Sequence, residues 1–325
     1  MRALILLSAI VFLSGCIETG PLDSYAETDQ GISPMMPPSP GRDAGNQPNP
    51  GQPDASTNNA NLPDTSIPTE VTSEGGVTLF EVRAPGVTQI ETGGVAAGFG
   101  PLGQVPPVAP VAQVGPCDIL TVDTAPAPPP NPTWVAGTIN ITVGSEVHTL
   151  TLGMTDGTQQ YVSNSPTDRI EYFAGGESVT FVGTGGSQIP AFQGTLVAPA
   201  EPAITQPAWE VCALDPSCPK HPRTTPLAVS WSGATNAGDV VISLLPLKLL
   251  EQKPAEGKSI LCTVPDSGSF QVPAEALSHL PAQQLLAVTH TALTIVRPVS
   301  DTFQVEGTSI TVNATSTQTR IGIVE

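Results

Sequence analysis

Proline sets the strongest limit on what this chain can fold into. Pro accounts for 36 of its 325 residues and Gly for a further 31. A Pro inside a helix removes a backbone donor and clashes with the preceding turn, at a cost of about 3 kcal/mol. Long helices are therefore excluded over most of the chain. Charged residues make up only 12%, about half the usual share, which argues against a coiled coil or a helical bundle. The net charge of −18 leaves no basic surplus to meet phosphate, so a nucleic-acid partner is excluded as well. The hydrophobic share of 39% still suffices for one or two cored domains.

Beyond residue 70 the pattern is all-β. Short apolar runs alternate with period two, the signature of half-buried strands. Ile139, Ile141 and Val143 share one face, as do Leu227, Val229 and Trp231, then Val240, Ile242 and Leu244. Ile260, Cys262 and Val264 form another such set, and Ile310, Val312 and Ala314 a further one. Strands are also expected at 77–83, 117–122, 147–152, 178–183, 193–198, 285–296 and 320–324. Turn signals such as Gly175-Gly176, Gly185-Gly186 and Asp266-Ser267-Gly268 separate them. One short helix is expected from Ala274 to Leu280, between Pro273 and Pro281. The expected fold is two antiparallel β-sandwich domains, 71–205 and 206–325. The boundary rests on the Pro-dense stretches around 199–202 and 216–226. The charge also shifts there, from −9 over 71–205 to −3 over 206–325. The Pro-rich segments Val105–Pro116 and Ala125–Pro132 read as surface loops of the first domain.

The N-terminus carries the most specific motif. Arg2 precedes an apolar run from Ala3 to Leu13, too short to span a bilayer and suited to the core of a signal peptide. The run ends at Leu13-Ser14-Gly15-Cys16. This motif resembles the lipobox of bacterial lipoproteins. The resemblance implies removal of residues 1–15, acylation of Cys16 and attachment to a lipid bilayer. Each buried methylene contributes about 0.8 kcal/mol, so more than one acyl chain anchors stably. Ile17 stands where Asp resembles an inner-membrane retention signal, which points to the outer membrane, at its periplasmic face or at the cell surface. The alternative is a secreted protein with a Cys near its cleavage site.

Residues 16–70 read as a disordered tether. Ile17 to Glu70 contains ten Pro and carries a charge of −7. Such a segment buries too little apolar surface to offset its ordering entropy. Over 54 residues a flexible coil spans about 40 Å, and extended polyproline about 170 Å. A plain spacer is the leading reading, and a Pro-rich ligand for a partner domain is the alternative.

The second domain resembles the immunoglobulin-like sandwich modules of bacterial surface proteins. The likeness rests on Leu227-x-Val229-x-Trp231 and the alternating strands that follow. Cys212, Trp231 and Cys262 imitate the antibody-type signature, but too many strands follow Cys262 for a match. The whole arrangement is similar to that of cell-surface lipoproteins of uncharacterised function, which implies location and architecture rather than activity.

Without Cys16 there are four cysteines, Cys117, Cys212, Cys218 and Cys262, an even number that fits an oxidising compartment. Cys212 with Cys218 is the favoured pair, closing a short loop worth about 2 kcal/mol. Cys262 reads as a buried thiol or as the partner of Cys117. The spacing Cys212-x5-Cys218-x2-His221 raises the alternative of zinc, which lacks a fourth ligand, so no metal is assigned. A calcium site drawn from Asp118, Asp123, Asp156, Asp168, Glu171 and Glu177 would use oxygen ligands, yet no calcium-loop motif is present. His148 and His290 lie on strand faces as packed or edge residues, and His279 sits on the short helix. No nucleophile elbow, zinc-protease helix or phosphate loop occurs. Trp134 and Trp209 are packing anchors or sugar-stacking rings, and Trp231 is a core residue.

The expected function is therefore a non-enzymatic envelope lipoprotein, structural or adhesive, that contacts an envelope protein and needs no cofactor. The alternative is a glycan- or small-ligand-binding sandwich, with calcium as one ligand.

Overall fold

The computed structural model describes residues 71–84, 90–102, 109–122, 133–155, 158–163, 171–209, 219–248, 253–283 and 289–325. The expected leader and tether, 1–70, lie outside them.

The strands in chain order are β1 (Ser73–Ala84), β2 (Ile90–Pro101), β3 (Ala112–Val114), β4 (Cys117–Val122), β5 (Ile139–Val143) and β6 (Glu146–Thr155). Next come β7 (Thr158–Ser163), β8 (Ser178–Gly183), β9 (Phe192–Val197), β10 (Ile204–Gln206), β11 (Lys220–His221) and β12 (Leu227–Trp231). The last six are β13 (Asp239–Lys248), β14 (Lys253–Pro254), β15 (Gly257–Pro265), β16 (Ser269–Val272), β17 (His290–Val305) and β18 (Thr308–Val324). The helix expected to reach Leu280 is α1 (Ala274–Leu277), and turn bonds from His279 and Leu280 continue it. Pro273 opens it in an extended conformation, as a residue with no donor can.

The strands form three sheets. A ten-stranded sheet runs β2-β1-β18-β17-β13-β15-β4-β3, with β11 beside β18 and β14 beside β13. A five-stranded sheet runs β7-β6-β5-β8-β9, and a three-stranded sheet β10-β12-β16. All ladders are antiparallel except β1–β18 and β11–β18.

The long hairpin β17–β18 organises the molecule. Its strands have 16 and 17 residues, roughly 55 Å each at the usual rise. The connecting loop is Glu306-Gly307, both with positive φ, at 46° and 80°. Two-residue loops of this kind match the right-handed twist of the flanking strands. Residues 293, 295, 299 and 303 of β17 point to one face, as period two requires. Val299 and Phe303 join an apolar cluster with Leu79, Val312, Ile141, Phe181 and Leu196. Leu293 and Ile295 join a second cluster with Ile242, Ile260, Val229, Trp231 and Leu277. Both small sheets therefore cover the same face of the large sheet, side by side.

Strands from before and after the expected boundary at 205/206 share this sheet. β1 pairs with β18, and β4 with β15. Cys117 and Ile119 of β4 belong to the cluster beneath the three-stranded sheet, while Ile310 and Val312 of β18 belong to the other.

Two strands carry no clear alternation. β2 contains Gly93-Gly94, Ala96-Ala97 and Gly98, residue types of low strand propensity. It is extended because all twelve of its residues pair with β1. β3 lies within the segment expected to be a surface loop, and pairs with β4.

Candidate functional site

The densest polar chemistry lies on the covered face of the large sheet, between the two apolar clusters. Ser316 of β18 stands in register with Glu81 of β1 on one side and Arg297 of β17 on the other. Two residues further along β18, Gln318 stands opposite Arg83. Apolar positions give way here to a polar belt.

Glu81, Gln318 and Arg297 hold backbone, and Arg83 holds carboxylates. Glu81 Oε1 accepts the N–H groups of Tyr172 and Phe173, the latter at 2.8 Å. Burial pushes the Glu81 carboxyl above its usual range, and these two bonds and Arg83 only partly offset it. Arg83 bridges Glu201 at 2.7 Å and Glu171 at 3.2 Å. Gln318 donates to Glu201 at 2.8 Å and accepts the N–H of Ile204. Arg297 Nη1 donates to the Ala200 carbonyl at 2.7 Å. The segment 200–204, which leaves β9 for the three-stranded sheet, is thus fastened to β1, β17 and β18 together.

A second carboxylate continues the belt. Asp266 is 2% exposed and accepts from Arg297, from Trp231 Nε1 at 2.7 Å and from the hydroxyl and N–H of Thr235. Burial alone would raise its carboxyl, but the Arg297, Trp231 and Thr235 bonds outweigh burial and hold it below the usual range. With its guanidinium groups on carboxylates and its acceptors on N–H groups, this cluster fixes a fold.

The calcium candidates are not brought together. Asp123, Asp156 and Asp168 lie outside the described residues. Asp118 is on β4, five strand positions from β1, roughly 24 Å at the usual spacing. Glu171 pairs with Arg83, and Glu177 accepts the N–H groups of Ala174 and Gly175 in its own turn. Those bonds hold the Glu177 carboxyl below its usual range, against a burial effect that would raise it. Among the described residues, no three His, Cys, Asp or Glu side chains are grouped to hold a metal ion.

Cys117 and Cys262 are bonded as a disulfide, and they stand directly opposite each other on β4 and β15. Cys212 and Cys218, the pair favoured by proximity, lie outside the described residues, as does Cys16. His221 of the zinc alternative contacts the Thr225 carbonyl at 3.0 Å. His148 packs against the Tyr172 ring, with centroids 4.8 Å apart, and His290 is buried. His279 is half-buried just beyond α1. Trp209 and Trp231 are buried in the second cluster, and Trp134 packs against the first.

No protein-family model matches this chain, and no curated protein or solved structure matches it either.

The belt residues were missed by motif reasoning, although strand alternation carries a signal for them. Glu81 shares its face with Val77 and Leu79, and Arg297 shares its face with Leu293 and Ile295. A charge at the next inward position of an apolar stripe marks a buried, partnered group.

The exposed face of the five-stranded sheet has the opposite character. Its outward positions hold Thr, Val, Asn, Gln, Ser and Gly, without a charge. Val147 and Val197 there are 58% and 57% exposed.

Proposed function

We propose that this protein is a bacterial envelope lipoprotein, acylated at Cys16, whose β-sheet part is a non-enzymatic structural or interaction module. The anchor rests on the apolar leader ending in Leu13-Ser14-Gly15-Cys16. We read the two sheet pairs as immunoglobulin-like sandwiches built on one shared sheet. Ile17 favours the outer membrane. The acidic stretch 17–70 repels anionic head groups and lifts the module from the surface.

One observation carries the module reading. The buried charges Glu81, Asp266 and Arg297 are taken up in holding backbone and one another, and the half-buried Arg83 pairs with Glu201 and Glu171, while an uncharged sheet face stands exposed. Buried charge used this way supports a scaffold, and function then falls to surface.

The anchor is tested by Cys16→Ser in the producing bacterium. Acyl labelling should disappear, and the protein should move from the membrane fraction to the soluble fraction. Membrane retention of the unlabelled variant would sink the lipoprotein reading.

A further inference from the structure

In a chain with a net charge of −18, the outward face of the five-stranded sheet is uncharged from edge to edge. Thr142, Thr180 and Thr195 stand in register across β5, β8 and β9, with Val147 beside Thr142 on β6. Val162 on β7 and Val197 on β9 close the two rims at 40% and 57% exposure. The inward residues Ile141, Leu150, Val179, Phe181 and Leu196 of the same strands are buried in the first cluster, so the sheet that presents this face is held firmly from behind.

We propose that this face is a self-contact surface through which two copies of the protein meet sheet to sheet. Charge decides the occupant. Two copies of one acidic chain repel over most orientations, and an uncharged face is where they approach at least cost. A basic partner would find no counter-charge here. An anionic lipid surface would find no Lys or Arg, and a stacking ligand would find no ring. A two-fold contact needs only that the patch complement itself, and rows of β-branched residues with hydroxyls and amides do so by interdigitation and mutual hydrogen bonding.

Size sets the strength. Five strands at the usual spacing and three outward positions along each give a face of roughly 24 by 20 Å. Two such faces bury about 1,000 Å², the lower limit for a specific interface. The contact is therefore weak and reversible in solution. The physiological weight of the contact rests on the lipoprotein reading above, because anchoring in one plane raises the effective concentration of copies.

The test uses the mature chain, residues 16–325 with Cys16→Ser, in sedimentation velocity from low micromolar to about millimolar protein. A monomer–dimer equilibrium is expected in the high micromolar range, tighter at high salt because screening relieves the repulsion. Thr142→Glu with Thr180→Glu should keep the parent melting temperature within a few degrees and weaken dimerisation at least about tenfold. Val111→Glu, at an exposed site just before β3 of the large sheet, should leave it unchanged. A monomer at every concentration and salt overturns the proposal, as does a double variant that dimerises like its parent, or equal weakening by Val111→Glu. The measurement needs no membrane, so its failure is distinct from continued membrane retention of the Cys16→Ser protein.

Discussion

Arg297 and Asp266 form a buried two-point ion pair. Nε donates to Oδ2 at 2.9 Å and Nη2 donates to Oδ1 at 3.1 Å. The third guanidinium nitrogen reaches the Ala200 carbonyl. One side chain on β17 thus fastens the turn after β15 and the segment that follows β9.

Breaking this pair from one side leaves the other charge buried. Asp266→Ala strands the Arg297 guanidinium and the Trp231 N–H without their acceptor. The expected loss is about 3–5 kcal/mol, read as a lower midpoint in denaturant at unchanged slope. A loss under about 1 kcal/mol would mean that water reaches the site and that the belt does not hold the segment.

Acid acts on the two belt carboxylates in opposite senses. Asp266 has a folded pKa below its ordinary value, so its stabilisation is present above that value and is lost as pH falls through the folded pKa. Glu81 has a folded pKa above its ordinary value, so the native state binds the proton first. Its contribution is greatest at low pH and declines as pH rises from about 4.5 through the folded value. Glu81→Gln keeps an oxygen for the Tyr172 and Phe173 N–H groups and removes a buried charge. It should raise the melting temperature at pH 7 and change it little near pH 4. A melting temperature lowered equally at both values would contradict this.

The Cys117–Cys262 bond closes a loop across a sequence separation of 145. A closure of that length removes entropy from the unfolded chain worth about 5 kcal/mol in the chain-entropy account. Replacing both residues by Ala should lower the unfolding free energy by up to that amount. It should also remove most of the parent's sensitivity to dithiothreitol under denaturant, since any bond between Cys212 and Cys218 closes a far shorter loop. A parent unaffected by reductant when unfolded would argue against this pairing.

Trp209 lies against Gly322 of β18, where an added Cβ would come within 2.3 Å of the indole. Gly322→Ala should therefore displace Trp209 and cost about 1–3 kcal/mol by overpacking. Quenching of tryptophan fluorescence by acrylamide reports the displacement, and an unchanged quenching constant would show that the ring does not pack there.

Much of the strand layout is legible in the sequence. The expected strands at 117–122 and 178–183 coincide with β4 and β8. Ile139, Ile141 and Val143 are buried on one face of β5 as their alternation requires. The runs 310–314 and 320–324 proved harder, because Thr315 to Thr319 between them break the apolar alternation. The structure joins them into the single strand β18, and Gln318 in that interval serves the polar belt. β7 was missed because only Tyr161 of its six residues is buried.

Sequence alone excludes long helices over most of the chain, marks most apolar runs as alternating with period two, and tells which side of each is apolar. Those properties are local, since Pro acts on its own turn and alternation acts within one strand. Only the tertiary structure decided that Val77 lies beside Val312, that Cys117 lies opposite Cys262, and that both small sheets cover one face. Period two tells a strand which face to bury but not which neighbour to choose. That choice follows from the summed packing of distant segments, and it also decides where a buried Glu81 or Asp266 finds its donors.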